Sequence, residues 1–323
     1  MAVYAIAFIL FTIDLSRRSV AASEVREARE AAGAGAGAGA SAAVASAGSA
    51  PTVTAVLDRA DLVADPGPAP VRRSPRYVNA ALALAVLGFA LHLVGDVLRG
   101  IAAARVPWAN MYEFSLTATL IIMGVFLVAQ FWQDLRFVGA YVTGFVVLAL
   151  GIATVDFYVT VIPLPDALGR SPVWLVIHVL VAILSVGFFA LGAALSVAQL
   201  LRSRREHGGL QHARYLDTIP DASRLETLAY RVIVIGFVTW TFTLIAGAIW
   251  ANAAWGRPWG WDTKEVWTFI IWVVYAGYIH ARATRGWRGS RASWLAIIGF
   301  AAVVFNFSIV NVFFKGLHAY SGL

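Results

Sequence analysis

The sequence predicts an all-α, polytopic membrane protein with about eight transmembrane helices and both termini on the outer face. Three observations carry that expectation. Of 323 residues, 60% are hydrophobic and only 13% charged, and the mean hydropathy is +0.74, well above what soluble domains carry. The apolar residues fall into separate runs, most of them close to the roughly 20 residues a helix needs to cross a bilayer. Lys and Arg collect between alternate runs, as the positive-inside rule requires. The net charge of +7 is therefore a signature of topology, and nucleic acid is excluded as a partner. The chain has no cysteine, so any thiol chemistry must come from another protein.

The elements follow from that pattern in order. Residues 1–18 read as a first span whose start lies at or beyond the outer face. Its apolar run is short, ends at Arg17-Arg18, and shows neither the basic leading segment nor the small-residue cleavage site of a signal peptide. Residues 19–76 form a low-complexity cytoplasmic linker, rich in Ala, Gly, Pro and charge, with too little apolar surface to fold alone. From Tyr77 to Ala103 the chain crosses outward, which leaves 107–113 outside. Ser115 to Trp132 returns to Asp134 and Arg136, Phe137 to Val155 crosses again, and 156–172 is a Pro-containing outer loop. Val173 to Leu201 leads inward to Arg202, Arg204 and Arg205, followed by a polar loop reaching Arg231. Val232 to Ala251 crosses outward, Glu265 to Tyr278 inward to Arg282, Arg285, Arg288 and Arg291, and Ser293 to Phe314 outward.

One stretch stands apart from this alternation. Trp255-Gly-Arg-Pro-Trp259-Gly-Trp261-Asp262 sets three tryptophans, two glycines and an acid in an outer loop spanning about residues 250–266. An interfacial aromatic belt is one reading of it; the wall of a site for a large flat ligand is the other. The map brings two histidines to the same face: His178, about a turn and a half inside its helix, and His318, just past the last span. Each alone fits an interfacial histidine with a polar neighbour. As a pair beside the tryptophans they suit haem, whose iron takes axial imidazoles and whose ring takes aromatic walls. Arg257 is the cation nearest for haem's propionates.

The remaining histidines divide by environment. His207 and His212 lie in the basic inner loop and read as solvated residues. His280 comes 16 residues after Lys264, some 24 Å along its helix and near the inner side; snorkelling to the headgroups beside Arg282 is the competing role. His92 lies in mid-membrane with Asp96 one turn on, on the same face, where the carboxylate can hold the imidazole and fix its tautomer. A buried polar pair is one role for it, cofactor ligation the other. Asp262 and Glu265 stand at a helix start, where capping is their expected work.

These residues resemble a known family, the cytochrome c assembly proteins that handle haem, and within it the CcsA- or ResC-type subunit (CcsB in some lineages) of the cytochrome c synthetase. The resemblance rests on Trp255 to Trp267, on Trp272, Tyr275 and Tyr278-Ile-His280-Ala-Arg282, and on the outer segment Pro107-Trp-Ala-Asn110-Met-Tyr112-Glu113. It covers residues 77–323 and says nothing of residues 1–76. It implies a bacterial plasma-membrane protein that takes haem b non-covalently, in transit. Trp255, Trp259, Trp261 and Asp262 form the outer loop site, with His178 and His318 as axial ligands. His280 holds haem nearer the inner side with a counterpart from a ResB- or CcsB-type membrane subunit, and His92 is a candidate second intramembrane ligand. The resemblance further implies presentation of reduced haem to an apocytochrome c Cys-x-x-Cys-His segment kept reduced by thiol-reducing proteins, so that thioethers form. A transporter of haem or another amphipathic compound, without ligation chemistry, is the alternative. A histidine-lined metal channel leaves the tryptophans unexplained.

Overall fold

The computed structural model describes residues 1–18, 20, 21, 24, 76–161, 172–284, 286–314, 316 and 317. Most of the expected linker (19, 22, 23 and 25–75) and the expected outer loop at 162–171 lie outside the described residues, as does His318; linker residues 20, 21, 24 and 76 are helical. All described regular structure is helical. It comprises α1 (residues 2–18), α2 (Arg76–Ala103), α3 (Met111–Ala129), α4 (Gly139–Asp156), α5 (Pro172–Glu206), α6 (Ala222–Trp255), α7 (Thr263–Thr284), α8 (Ser290–Phe307) and α9 (Ile309–Phe313), with 3₁₀ turns at Arg136–Val138 and Arg214–Thr218. Six segments are long and apolar enough to cross a membrane: α2, α3, α4 with its preceding turn, α5, α6, and α8 continued through α9. The other two expected spans are helices as well. Helix α1 is described without a break only over residues 2–18, with 20, 21 and 24 helical as well, and α7 has the length but carries His280, Arg282 and several Trp and Tyr that lower its apolarity.

Two apolar clusters hold the bundle. The larger joins Tyr4, Ala7 and Phe11 of α1 to residues of α2–α6. Helix α1 is thereby built into the core, so close to α4 that a Cβ at Gly139 would lie 2.6 Å from the Phe11 ring. The second cluster packs α7 and α8 against α5 and α6 through Phe189, Ile233, Trp240, Ile271, Tyr275 and Val303. The Phe189 and Tyr275 rings stack at 3.8 Å between centroids. Indole N–H groups tie α6 to α7: Trp240 donates to the Thr268 carbonyl at 3.1 Å and Trp272 to Thr241 Oγ1 at 3.0 Å.

Helices α5 and α6 have 35 and 34 residues, about 50 Å each at 1.5 Å per residue, well beyond a hydrocarbon core of about 30 Å. The excess lies at the basic end. There α6 begins ten residues before Val232, inside the segment expected as loop. Asp221 caps it by accepting from the Arg224 N–H at 2.8 Å, and Leu225, Leu228 and Ala229 bury one face of the extension. Arg202 donates to the Leu216 carbonyl and Asp217, Arg205 to Asp217, Arg224 to Gln133, and Arg282 to the Glu226 carbonyl. These bonds clamp the basic loops together. At the opposite end, α6 stops at Gly256, which takes the left-handed conformation at φ 73 and donates its N–H to the Asn252 carbonyl. That stop delivers the tryptophan loop.

Candidate functional site

Five segments meet at the end opposite the basic loops and line a cavity of about 190 Å³. A single water needs roughly 10–15 Å³, so the space is ligand-sized. One wall is the α5–α6 pair. On α5, Leu175, His178, Val179, Ala182 and Val186 fall on one helical face; on α6, Trp240, Thr243, Leu244, Gly247, Trp250 and Ala251 do the same. The other walls come from 108–114 at the start of α3, from Pro258, Trp259, Lys264 and Thr268 around the start of α7, and from Asn306, Phe307 and Asn311. The last three flank Ser308, where α8 breaks and the serine hydroxyl donates back to the Val304 carbonyl at 2.6 Å.

His178 is the imidazole of this cavity. Its Nδ1 lies 3.0 Å from the Thr243 carbonyl oxygen. A carbonyl can only accept, so the proton is on Nδ1 and the ring lone pair on Nε2, the tautomer and orientation a metal ligand needs. The ring stacks on Trp250 at 6.3 Å with an interplanar angle of 10°. It has room because residue 247 is glycine: a Cβ there would stand 2.7 Å from Cε1 and 2.8 Å from Nδ1.

The tryptophan loop closes on itself through Glu265. This buried carboxylate accepts from the Gly260 N–H at 2.8 Å and the Asp262 N–H at 3.0 Å. The Asp262 carbonyl takes the Val266 N–H at 2.9 Å, the first turn of α7. Asp262 is thus the N-cap and Glu265 the third helical residue of a capping box, the structural work expected of both. The three loop tryptophans separate. Trp259 faces the cavity, edge-on to Trp261 at 5.8 Å. Trp255 packs behind the wall against Trp250 at 4.8 Å. Trp261 is 73% exposed, and its φ of 58 is a left-handed conformation costly for a bulky residue. The aromatic lining is completed by Trp108, Trp240 and Trp250, which sequence reading passed over. The signal for the last two was present: Trp240, Thr243, Gly247 and Trp250 recur at three- and four-residue spacing along one stripe of α6.

The other singled-out residues lie elsewhere. Arg257 packs its guanidinium over Gly260, and the cation that lines the cavity is Lys264. His280 is exposed near the opposite end of α7. His92 is half-buried on α2, where Tyr4 approaches its Nδ1 at 3.5 Å and meets the ring edge-on. Asp96 takes its hydrogen bond from Thr117 Oγ1 at 3.1 Å, across to α3, and is not the partner of His92 that their spacing suggested. His207 and His212 are exposed. Beside the cavity, Glu113 is fully buried and binds Arg99, Arg105 and the Ala109 N–H, so the loop 104–110 is held by charge.

A multi-pass helical membrane protein with an aromatic, imidazole-bearing cavity at the end opposite its basic loops is the class these features define. A profile of the cytochrome C assembly protein family matches residues 108–318. The chain is 34% identical over 275 residues to a cytochrome c biogenesis protein CcsA of Prochlorococcus marinus, covering 77% of this chain and 84% of that protein. It is 33% identical over 244 residues to the protein of that name in Guillardia theta, covering 70% and 80%. The protein of that name in Gloeobacter violaceus is 32% identical over 281 residues, with 70% and 81% covered. The chain belongs to the cytochrome c assembly protein family.

Proposed function

We propose that this protein serves cytochrome c maturation in the bacterial plasma membrane by binding haem b in the outer cavity and presenting it for covalent attachment. The observation that carries the proposal is His178, held by the Thr243 carbonyl as the Nδ1–H tautomer and given space by Gly247. An imidazole so oriented among four indoles, with one cation in the lining, suits a flat apolar metalloporphyrin with anionic edges. His178 and His318 are the residues that would hold the haem iron. Gly316, two residues before His318, packs on the Asp262 carboxylate, which supports bringing the C-terminal tail to this loop.

Haem supplies the two vinyl groups across which cysteine S–H bonds add to form thioethers. This chain's part would be to hold the ring among the cavity's indoles and leave an edge open at Trp261 for an apocytochrome c Cys-x-x-Cys-His segment. The thiols are kept reduced by other proteins, since this chain has none. A ResB-type membrane subunit would complete the site at His280 nearer the inner side: this residue is exposed on α7, as a ligand shared with a neighbouring subunit must be. His92, buried against Tyr4, is the further intramembrane candidate.

Absorption spectra of the purified protein, alone and with its partner, test the reading. Wild type is expected to show six-coordinate bis-histidine haem, and His178→Ala and His318→Ala each to lose it. Unchanged haem retention and spectra in both variants would overturn it. Bound haem without covalent cytochrome c formation in a reporter cell would favour a transporter instead.

A further inference from the structure

The wall facing His178 holds polar atoms that the fold leaves short of partners. Lys264 extends into a mostly apolar lining, where its ammonium donates to the neutral Asn311 side-chain oxygen, lies 5.9 Å from the Phe307 ring centroid and has Asp262 as its neighbour on the far side. The nearby Glu265 carboxylate is committed to the Gly260 and Asp262 N–H groups. Asn110, 2% exposed, uses Oδ1 to accept from the Glu113 N–H, and its Nδ2 has no hydrogen-bond partner. Asn306, 4% exposed, has an unpartnered Oδ1. The groups belong to one patch: Asn311 donates to Met111 Sδ at 3.4 Å, and Phe114 stacks on Phe307 at 4.0 Å, joining the start of α3 to the α8–α9 break. All of them line the same cavity.

An ammonium and unsatisfied amides in a mostly apolar cavity are costly unless a ligand completes them. We propose that Lys264, Asn110 and Asn306 form an anion-binding floor that receives a carboxylate of the ligand, which on the haem reading above is a propionate. A carboxylate oxygen accepts from Lys264 Nζ and Asn110 Nδ2, and the Asn306 amide turned end for end presents its own N–H₂. The floor stands on α3, α7 and α8 while His178 stands on α5, so the ring would be held at its iron by one wall and at its acidic edge by the other. This moves the acidic edge from the loop arginine to the half-buried cavity lysine.

The test is binding of two ferric porphyrins by the purified full chain, one with free propionates and one with both masked as methyl esters. Wild type is expected to prefer the free acid by about tenfold or more, the scale of one charge-assisted hydrogen bond. Lys264→Met should bind both with nearly equal affinity, and Lys264→Arg should keep the preference. A wild-type preference that survives in Lys264→Met overturns the anion floor while leaving His178 as ligand untouched. Wild type that binds neither porphyrin overturns the floor and the haem reading together. Should Lys264→Met fail to accumulate, Asn306→Leu decides: a reduced preference supports the floor, and an unchanged one overturns it.

Discussion

Gly247 and His178 share one packing space: a Cβ on residue 247 would sit 2.7 Å from the imidazole Cε1, inside van der Waals contact. The ring cannot retreat freely, because Nδ1 is bonded to the Thr243 carbonyl one turn earlier on the same helix. Gly247→Ala should therefore tilt the imidazole and weaken haem binding by about tenfold or more, since ligand geometry tolerates displacements of only about 0.5 Å. The same change removes a helix-interior glycine, which favours the helix by up to about 1 kcal/mol. The expected result is a protein no less stable but poor in haem, read as haem per chain beside thermal unfolding in detergent. Full retention would show that His178 is not tuned by this contact.

The loop tryptophans should separate by experiment as they do in space. Trp259→Ala opens the cavity wall and should lower haem retention severalfold. Trp261 is mostly exposed and strained at φ 58, so Trp261→Gly relieves roughly 1–2 kcal/mol of backbone strain and should leave retention near wild type. Any defect it causes should appear in covalent cytochrome c formation. Equal loss of bound haem in both variants would mean that the loop acts as one unit.

The helices were legible because membrane crossing imposes length and apolarity that no other constraint disturbs; α2, expected from Tyr77, begins at Arg76. The start of α6 was not, since Arg224 and Arg231 read as loop until one sees Leu225 and Leu228 buried beneath them. In the site, His178 and the capping pair Asp262 and Glu265 could be read from position along a helix. The stripe from Trp240 to Trp250 marked one face of α6 but not what that face lines, and the role of Lys264 could not be read. Which face of α6 lines a cavity, and which of two nearby cations enters it, depends on how α7 and α8 close the far wall. That is set by contacts such as Trp240 to Thr268, which join residues distant in sequence.

The inner loop carries a pH dependence. Hydrogen bonds from Arg205, its main cause, together with the charge of Arg202 hold the Asp217 carboxyl below its usual value. A depressed carboxyl contributes stability that is present above its unfolded value near 3.9 and is lost as pH falls through the folded one. Hydrogen exchange of segment 210–220 should thus rise below about pH 4, and Asp217→Asn should show the same loosening at pH 7. The effect on global stability should be small, because this pair is part-exposed. An Asp217→Asn exchange profile matching wild type at pH 7 would remove the carboxylate from the clamp.

Glu113 is the residue whose loss should hurt most. Its carboxylate is fully buried and accepts from Arg99, Arg105 and the Ala109 N–H, while Arg99 also donates to the Val159 carbonyl at 2.9 Å. Removing the acid strands two part-buried guanidiniums, and breaking such a network from one side costs about 3–5 kcal/mol. Glu113→Ala should lower the thermal midpoint by several degrees or prevent accumulation. It should also free the 104–110 segment, whose Trp108 and Asn110 line the cavity. Glu113→Gln keeps the shape and part of the bonding, so its loss should be smaller. Arg105→Met in the Glu113→Ala background removes one stranded cation and should recover part of the midpoint. Additive losses in that double variant would show that the two residues do not act as a pair.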